Sequence, residues 1–217
     1  MNKNISRYFI AAGAVLLIAA LSLVVYNQLE AAQAVKSANA ALEQLEKIIP
    51  DEYEDVDDSF SHSEKPVEND GHSEMEQSEE PEAVELDGEW YIGILYIPSI
   101  DLELPVLRDW SYPNLDIACC RYGGTLSGGD MLIAAHNYTG FFKRLDELKS
   151  GDQIIFRQLN GVSHVYDVSY TEVVDGYDNE HLLGGSDSWD LTLFTCTWSG
   201  RSRVAVRCEV AYRGMDP

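Results

Sequence analysis

Residues 90–217 predict an all-β domain, a barrel or a sandwich, set behind an N-terminal helix and an acidic tether. Three observations carry this. Short runs of β-branched, aromatic and aliphatic residues recur about eight times after Trp90, and clusters of Gly, Pro, Ser, Asn and Asp separate them. The last run alternates strictly, with Val204, Val206, Cys208 and Val210 on one face and Arg203, Ala205, Arg207 and Glu209 on the other. Only 139–148 has helical spacing in this half of the chain.

The elements follow in order. Residues 8–26, YFIAAGAVLLIAALSLVVY, carry no charge, and at about 1.5 Å per residue they reach roughly 28 Å, the depth of a bilayer core. Tyr8 and Tyr26 bracket the run, and Lys3 and Arg7 precede it, so the expected topology is single-pass, N-terminus inside and the remainder extracellular. A cleaved signal peptide is the competing reading. Against it, the run exceeds the roughly 7–15 residues of such a region, and the nearest small-x-small site, Ala38-Asn39-Ala40, lies well past its end.

Residues 27–50 are rich in Ala, Leu, Gln, Glu and Lys and predict a juxtamembrane helix, with Leu29, Val35, Leu42, Leu45 and Ile49 as an intermittent stripe. That stripe reads as a weakly amphipathic stalk, with a partner or dimer seam as the alternative. Residues 51–89 hold 17 Asp and Glu against one Lys, which is 16 of the 22 net negative charges. With no hydrophobic period, this stretch predicts a disordered linker extended by self-repulsion. His62 and His72 within it read as solvated. A net charge of −22 repels phosphate backbones and argues against nucleic acid as a partner.

The domain itself is expected over 90–217. Strands are predicted at 91–97 and 102–107, broken by Pro98-Ser99, then at 117–122 and 131–135. A short helix follows from Thr139, with Phe141, Leu145 and Leu148 at i, i+4 and i+7, closed at Ser150-Gly151-Asp152. Strands at 153–156, 165–174, 191–195 and 203–212 complete the set.

One pair of residues organises the chemistry. Cys196 ends the run LTLFTC, and Ser199-Gly200 supplies a turn that returns the chain past it. A thiol at a strand mouth beside a returned guanidinium has what a thiolate nucleophile needs, because a nearby cation favours the thiolate and a donor can hold an oxyanion. Arg203 and Arg207 share a strand face, so periodicity cannot choose between them. The candidate general base is His136, where the apolar run MLIAA ends. His164 and His181 have no comparable surroundings. Asn137, Tyr138 and Thr195 border the site and shape it, although packing alone would also explain them. Cys119, Cys120 and Cys208 show no metal-site spacing and read as buried small residues; a disulfide from Cys119 or Cys120 to Cys208 is open to an exported domain.

The local words match one family. IGILYIPSI at 92–100 with Leu104-Pro105-Val106, the strand ending in His136-Asn137, LTLFTC at 191–196, and Arg203 opening the following strand together resemble a sortase. Sortases are membrane-anchored cysteine transpeptidases of Gram-positive bacteria. The resemblance implies an eight-stranded β-barrel with one or two short helices. It also implies Cys196 as nucleophile, His136 as acid and base, and Arg203, which begins the last strand, as the catalytic arginine, leaving Arg207 as a surface or rim charge. The implied substrate is a secreted protein with a C-terminal sorting motif of the L-P-x-T-G type, and the implied acceptor is an amine of a cell-wall precursor or a pilin.

The subclass stays open. Thr-Cys-Thr-Trp and the N-terminal anchor look like class B, yet the 60 residues from His136 to Cys196 leave little room for that class's helical insertion. No second apolar span and no Asp-Pro-aromatic lid point to a pilus polymerase. No cofactor is expected; some relatives are calcium-regulated, but Asp175, Asp178 and Glu180 form no recognisable loop. A thiol protease releasing to water, and a non-catalytic membrane-tethered scaffold domain, are the alternatives.

Overall fold

The computed structural model describes residues 3–50, 82–183 and 189–211. The linker expected at 51–89 therefore lies outside the described residues as far as 81, and His62 and His72 with it. The first element, α1 (Lys3–Ile48), is one continuous helix of 46 residues, so the apolar run and the juxtamembrane segment share a single axis. Its sequence explains the length: after Gly13 no Gly or Pro interrupts residues that favour helix, and Pro50 follows the last turn. It is long and apolar enough to cross a membrane, and its large apolar side chains Phe9, Leu16, Leu21, Val25 and Leu29 are exposed.

Beyond residue 30 the same helix changes character. Ala34, Ala38, Ala41, Leu45 and Ile49 are buried against the strands β2 (Glu89–Ile97) and β3 (Leu102–Leu107). The stalk expected from the Leu and Val stripe is thus a docked helix, and its contact stripe is built mainly of alanine. Small side chains let the axis come close: a Cβ on Gly140 would lie 2.9 Å from a Val35 methyl. Full burial of Leu45 and Ile49 alone contributes roughly 3–6 kcal/mol, as an upper estimate.

The strands close into a barrel. β4 (Cys119–Gly123), β5 (Met131–Ala134), β6 (Gln153–Gln158), β7 (Ser163–Asp175), β8 (Leu191–Cys196) and β9 (Ser202–Val210) join β2 and β3 in the order β2-β3-β4-β5-β8-β9-β7-β6, and β6 pairs back onto β2. These are the eight strands expected, with no open edge between first and last. A further short strand, β1 (Val84–Leu86), extends the fold upstream of Trp90, joined to β2 by Asp87-Gly88 with φ of 52° and 89°. Positive φ at both turn positions is what a tight hairpin requires, and Asp-Gly is its sequence signal.

Two pairings are parallel, β3 with β4 and β5 with β8. The second sets the site, since it brings the ends of β5 and β8 to the same rim although 57 residues separate Ala134 from Leu191 in the numbering. Between them run the predicted short helix, a 3₁₀ turn at Phe142–Glu147 with Phe142 and Leu145 buried, then β6, β7 and α3 (Asn179–Leu183). Pro105 sits in β3 one residue before the β4 pairing begins, where its missing N–H removes no β3–β4 bond.

Candidate active site

The register brings Cys196, His136 and Arg203 to one rim. Cys196 pairs directly with Arg203 across the β8–β9 ladder, so their side chains share a face. On the other side of β8, Ala134 is level with Phe194, and the alignment continues past the strand ends. Thr195 Oγ1 donates to the Ala135 carbonyl at 2.8 Å, and Asn137 Nδ2 donates to the Cys196 carbonyl at 2.8 Å. His136 is thereby held between two tethers to β8, on a neighbouring strand end at a spacing of about 4.8 Å. Thr195 is buried and Asn137 half-buried, and both fasten the His136 segment to the Cys196 segment.

His136 has two further partners. Its Nε2 lies 3.1 Å from Asp116 Oδ1, and its ring packs on Tyr138 with centroids 4.7 Å apart. Asp116 follows the short helix α2 (Tyr112–Leu115) and orients the imidazole; sequence reasoning missed it because nothing in Asn114-Leu115-Asp116 marks a carboxylate 20 residues upstream as a histidine partner. The rival histidines lie elsewhere: His164 Nε2 faces Gln158 at 3.1 Å, and His181 Nε2 faces Glu172 at 2.9 Å.

The four thiols divide by environment. Cys119, Cys120 and Cys208 are buried, and Cys196 alone is partly open to solvent. Burial pushes the Cys120 thiol up to about 12 and raises Cys119 and Cys208 as well, so these three stay protonated and inert. All four are free, and no disulfide joins Cys208 to Cys119 or Cys120.

The two arginines also divide. Arg203 is half-buried, and its Nη1 donates to the carbonyls of Gly200 at 3.1 Å and Ser202 at 3.2 Å, over the turn beside Cys196. Arg207, expected at the surface or rim, is instead 3% exposed. It donates to Glu172 Oε1, Thr192 Oγ1 and the carbonyls of His181 and Leu182 at 2.9–3.1 Å. The period-two pattern gave its face correctly, but α3 in the β7–β8 connection covers that face.

An aromatic wall completes the surroundings. Phe194, two residues before Cys196 on the same face, meets Tyr122 edge-on at 5.2 Å, and Trp110 packs on Tyr122 at 5.2 Å. Asp175 and Asp178 accept backbone N–H groups of Tyr177 and His181, and among the described residues no three His, Cys, Asp or Glu side chains gather as a metal site. The arrangement gathers a solvent-reachable thiol, an imidazole and a guanidinium at one rim of a closed barrel.

A family model described as the sortase domain matches residues 95–211. The chain is 29% identical over 107 residues to sortase D of Bacillus subtilis (strain 168), covering 48% of this chain and 53% of that one. Among solved structures it is similar to sortase A from Corynebacterium diphtheriae, with a TM-score of 0.51, 26% identity and coverage of 59% of this chain and 63% of the other. It is also similar to Clostridium perfringens sortase C with the C-terminal cell wall sorting motif, with a TM-score of 0.50, 28% identity and coverage of 56% and 70%. The chain spans about half the length of the Bacillus relative.

Proposed function

The chain belongs to the sortase family, and from that premise we propose that it is a membrane-anchored cysteine transpeptidase. It cleaves an L-P-x-T-G-like sorting motif of secreted proteins and transfers the acyl part to an amine of a cell-wall precursor or a pilin. The helix α1 crosses the membrane at residues 8–26 with the N-terminus inside, as Lys3 and Arg7 favour, and carries the barrel on the outer side. The observation that carries this reading is the pairing of the one solvent-reachable thiol, Cys196, with Arg203 across the ladder and with the His136 segment on the other flank.

The residues then divide the work. Cys196 Sγ, as thiolate, attacks the carbonyl carbon of the motif's threonine; the guanidinium of Arg203, swung from its turn carbonyls, donates to the oxyanion. The C–N bond breaks, and His136 as imidazolium delivers its proton to the leaving amine. A thioester on Cys196 remains. The second amine attacks it, neutral His136 takes the amine's proton, and the C–S bond breaks to return the thiolate. One peptide bond is lost and one amide gained, so no oxidant, metal or nucleotide is consumed. Thr195 and Asn137 hold the His136 and Cys196 segments together, and Asn137 and Tyr138 line the approach.

The test offers L-P-x-T-G-like and N-P-x-T-x-like peptides to the full chain in detergent, with and without a glycine-type amine. Wild-type protein should form a Cys196 adduct and an amide product that depends on the amine. Cys196→Ala should lose both adduct and cleavage; cleavage retained in that variant would refute the role of Cys196. Release to water at an equal rate with and without amine would make the protein a thiol protease instead.

A further inference from the structure

The barrel end that carries Cys196 also carries an unpartnered aromatic surface. Among the described barrel residues, three of the four most exposed large apolar side chains stand there: Trp198 at 97%, Tyr177 at 93% and Val173 at 68%. The fourth, Tyr112, packs on Trp110 with ring centroids 5.3 Å apart. Trp198 lies two residues past Cys196 in the β8–β9 turn, and Tyr177 lies two residues past the end of β7. Strand register brings them to one end: Val173 pairs with Val204 and Asp175 with Ser202 on one side of β9, while Cys196 pairs with Arg203 on the other.

Both turns are braced, so the rings are held outward. The Gly176 N–H donates to the Arg201 carbonyl at 2.9 Å and joins one turn to the other. A Cβ at Gly176 would stand 2.4 Å from that oxygen, so glycine is what lets the two turns meet. The Tyr177 N–H donates to Asp175 Oδ1 at 2.9 Å, and the Thr197 N–H donates to the Ser202 carbonyl at 2.9 Å. Two rings left in water forgo the burial that aromatic side chains gain elsewhere in a fold. A surface of this kind marks a partner.

The anchor decides which partner. Trp198 closes a cleft of about 670 Å³ whose other wall is α1 from Val24 to Val35. Val24 belongs to the apolar run that ends at Tyr26, so the β8–β9 turn stands beside the stretch where α1 leaves the hydrocarbon. That stretch of α1 is roughly 16 Å long at about 1.5 Å per residue, and its lower part lies within a headgroup layer about 5–8 Å deep. Ala34, Ala38, Ala41 and Leu45 are buried against the barrel, which fixes the turn at this height.

The residue types suit that depth. Trp and Tyr gather at membrane interfaces, where a ring meets apolar chains and its N–H or O–H meets water and headgroups. Charge makes no such choice. The exposed charged groups around the two turns are Arg201 and Lys143 against Asp175, Asp178 and Glu180, so an anionic surface has no advantage here.

We propose that the β7–α3 and β8–β9 turns form a second membrane contact. The Trp198 and Tyr177 rings, with Val173 beside them, sit in the headgroup layer of an uncharged lipid surface and hold the Cys196 rim against it. The assignment rests on the reading of α1 as a membrane anchor. Attachment at the helix and at the two turns then stops the barrel from swinging about its anchor.

The experiment places the full chain in phosphatidylcholine vesicles, with or without bromine near the glycerol end of the acyl chains, and reads tryptophan emission after flotation. Bromine quenches only rings at its own depth. Wild-type protein should lose about one tryptophan's share of the emission, one in four, at low and high salt alike. Trp198→Phe should abolish most of that quenching, and Tyr177→Trp in the same background should restore it. Equal quenching in wild type and Trp198→Phe overturns the contact and leaves the anchor standing, as does a failure of Tyr177→Trp to restore the signal. Quenching that disappears at high salt makes charge the cause and overturns it as well. Emission that follows protein density in the vesicles and ignores bromine assigns the rings to a second copy of this chain instead. A chain that does not float with the vesicles removes the anchor and the contact together.

Discussion

Arg203 and Arg207 stand four residues apart on one face of β9 and do different things, because of what covers each. Among the described residues the Arg203 side chain bonds the carbonyls of Gly200 and Ser202 and stands directly across from Cys196, where the proposed mechanism has it exchange them for a developing oxyanion. Removing an oxyanion donor of this kind costs about 10²–10³ in kcat. Arg203→Ala should therefore lose about that factor in peptide cleavage while its urea midpoint stays near wild type. Arg207 is a buried ion-pair partner, and deleting one member of a buried pair costs about 3–5 kcal/mol. Arg207→Ala should shift the urea unfolding curve by that amount, and any activity loss should follow the folded fraction. If the two variants exchanged these signatures, Arg207 would be the oxyanion donor. The same contrast separates the thiols: Cys196 is partly open to solvent, whereas burial holds Cys119, Cys120 and Cys208 as protonated small side chains.

Among the elements, α1 and α3 draw their meaning from what they pack on. An exposed stalk would tolerate truncation of its apolar residues, but Leu45 is fully buried against the β2–β3 hairpin. Leu45→Ala should cost about 2–5 kcal/mol in urea unfolding; a change below about 0.5 kcal/mol would mean that α1 is undocked in solution. Helix α3 is pinned by the carbonyls of His181 and Leu182 on Arg207 and by the His181 ring on Glu172. Burial opposes ionisation of Glu172, yet the hydrogen bonds from His181 and Arg207 outweigh it and hold the carboxyl below its ordinary 4.5. A depressed carboxyl stabilises the fold above its unfolded pKa, and that contribution is lost as pH falls through the folded value. Thermal midpoints should therefore drop as pH is lowered below about 4.5, and less steeply in Glu172→Gln. Identical slopes in the two proteins would place the acid sensitivity elsewhere.

At the scale of the whole molecule, a closed barrel carried on one continuous helix sets the height and orientation of the rim where β5 and β8 end. The strands were legible in the chain because alternation and turn residues are local signals, and the apolar run over 8–26 was legible because hydropathy and length are too. β1 was missed although Asp87-Gly88 announced its hairpin, because the acidic composition around it outweighed three strand residues. The 3₁₀ turn at Phe142–Glu147 came where helical spacing predicted a helix, since the buried Phe142, Leu145 and Leu148 stand three residues apart and fit the 3₁₀ period. At the site, Cys196 and Arg203 could be paired from sequence because a hairpin joins them. His136 could be named as a candidate from the strand end it occupies, but its place beside Cys196 could not be read, since its neighbour on β8 is set by a parallel pairing across a long crossover. Asp116 and the burial of Arg207 had no local signal at all. Period and composition therefore determined what each segment is and which way its side chains face. Only the closed fold decided which distant segments meet, because contacts between residues far apart along the chain depend on barrel register and helix docking, and neither is written in any single stretch of residues.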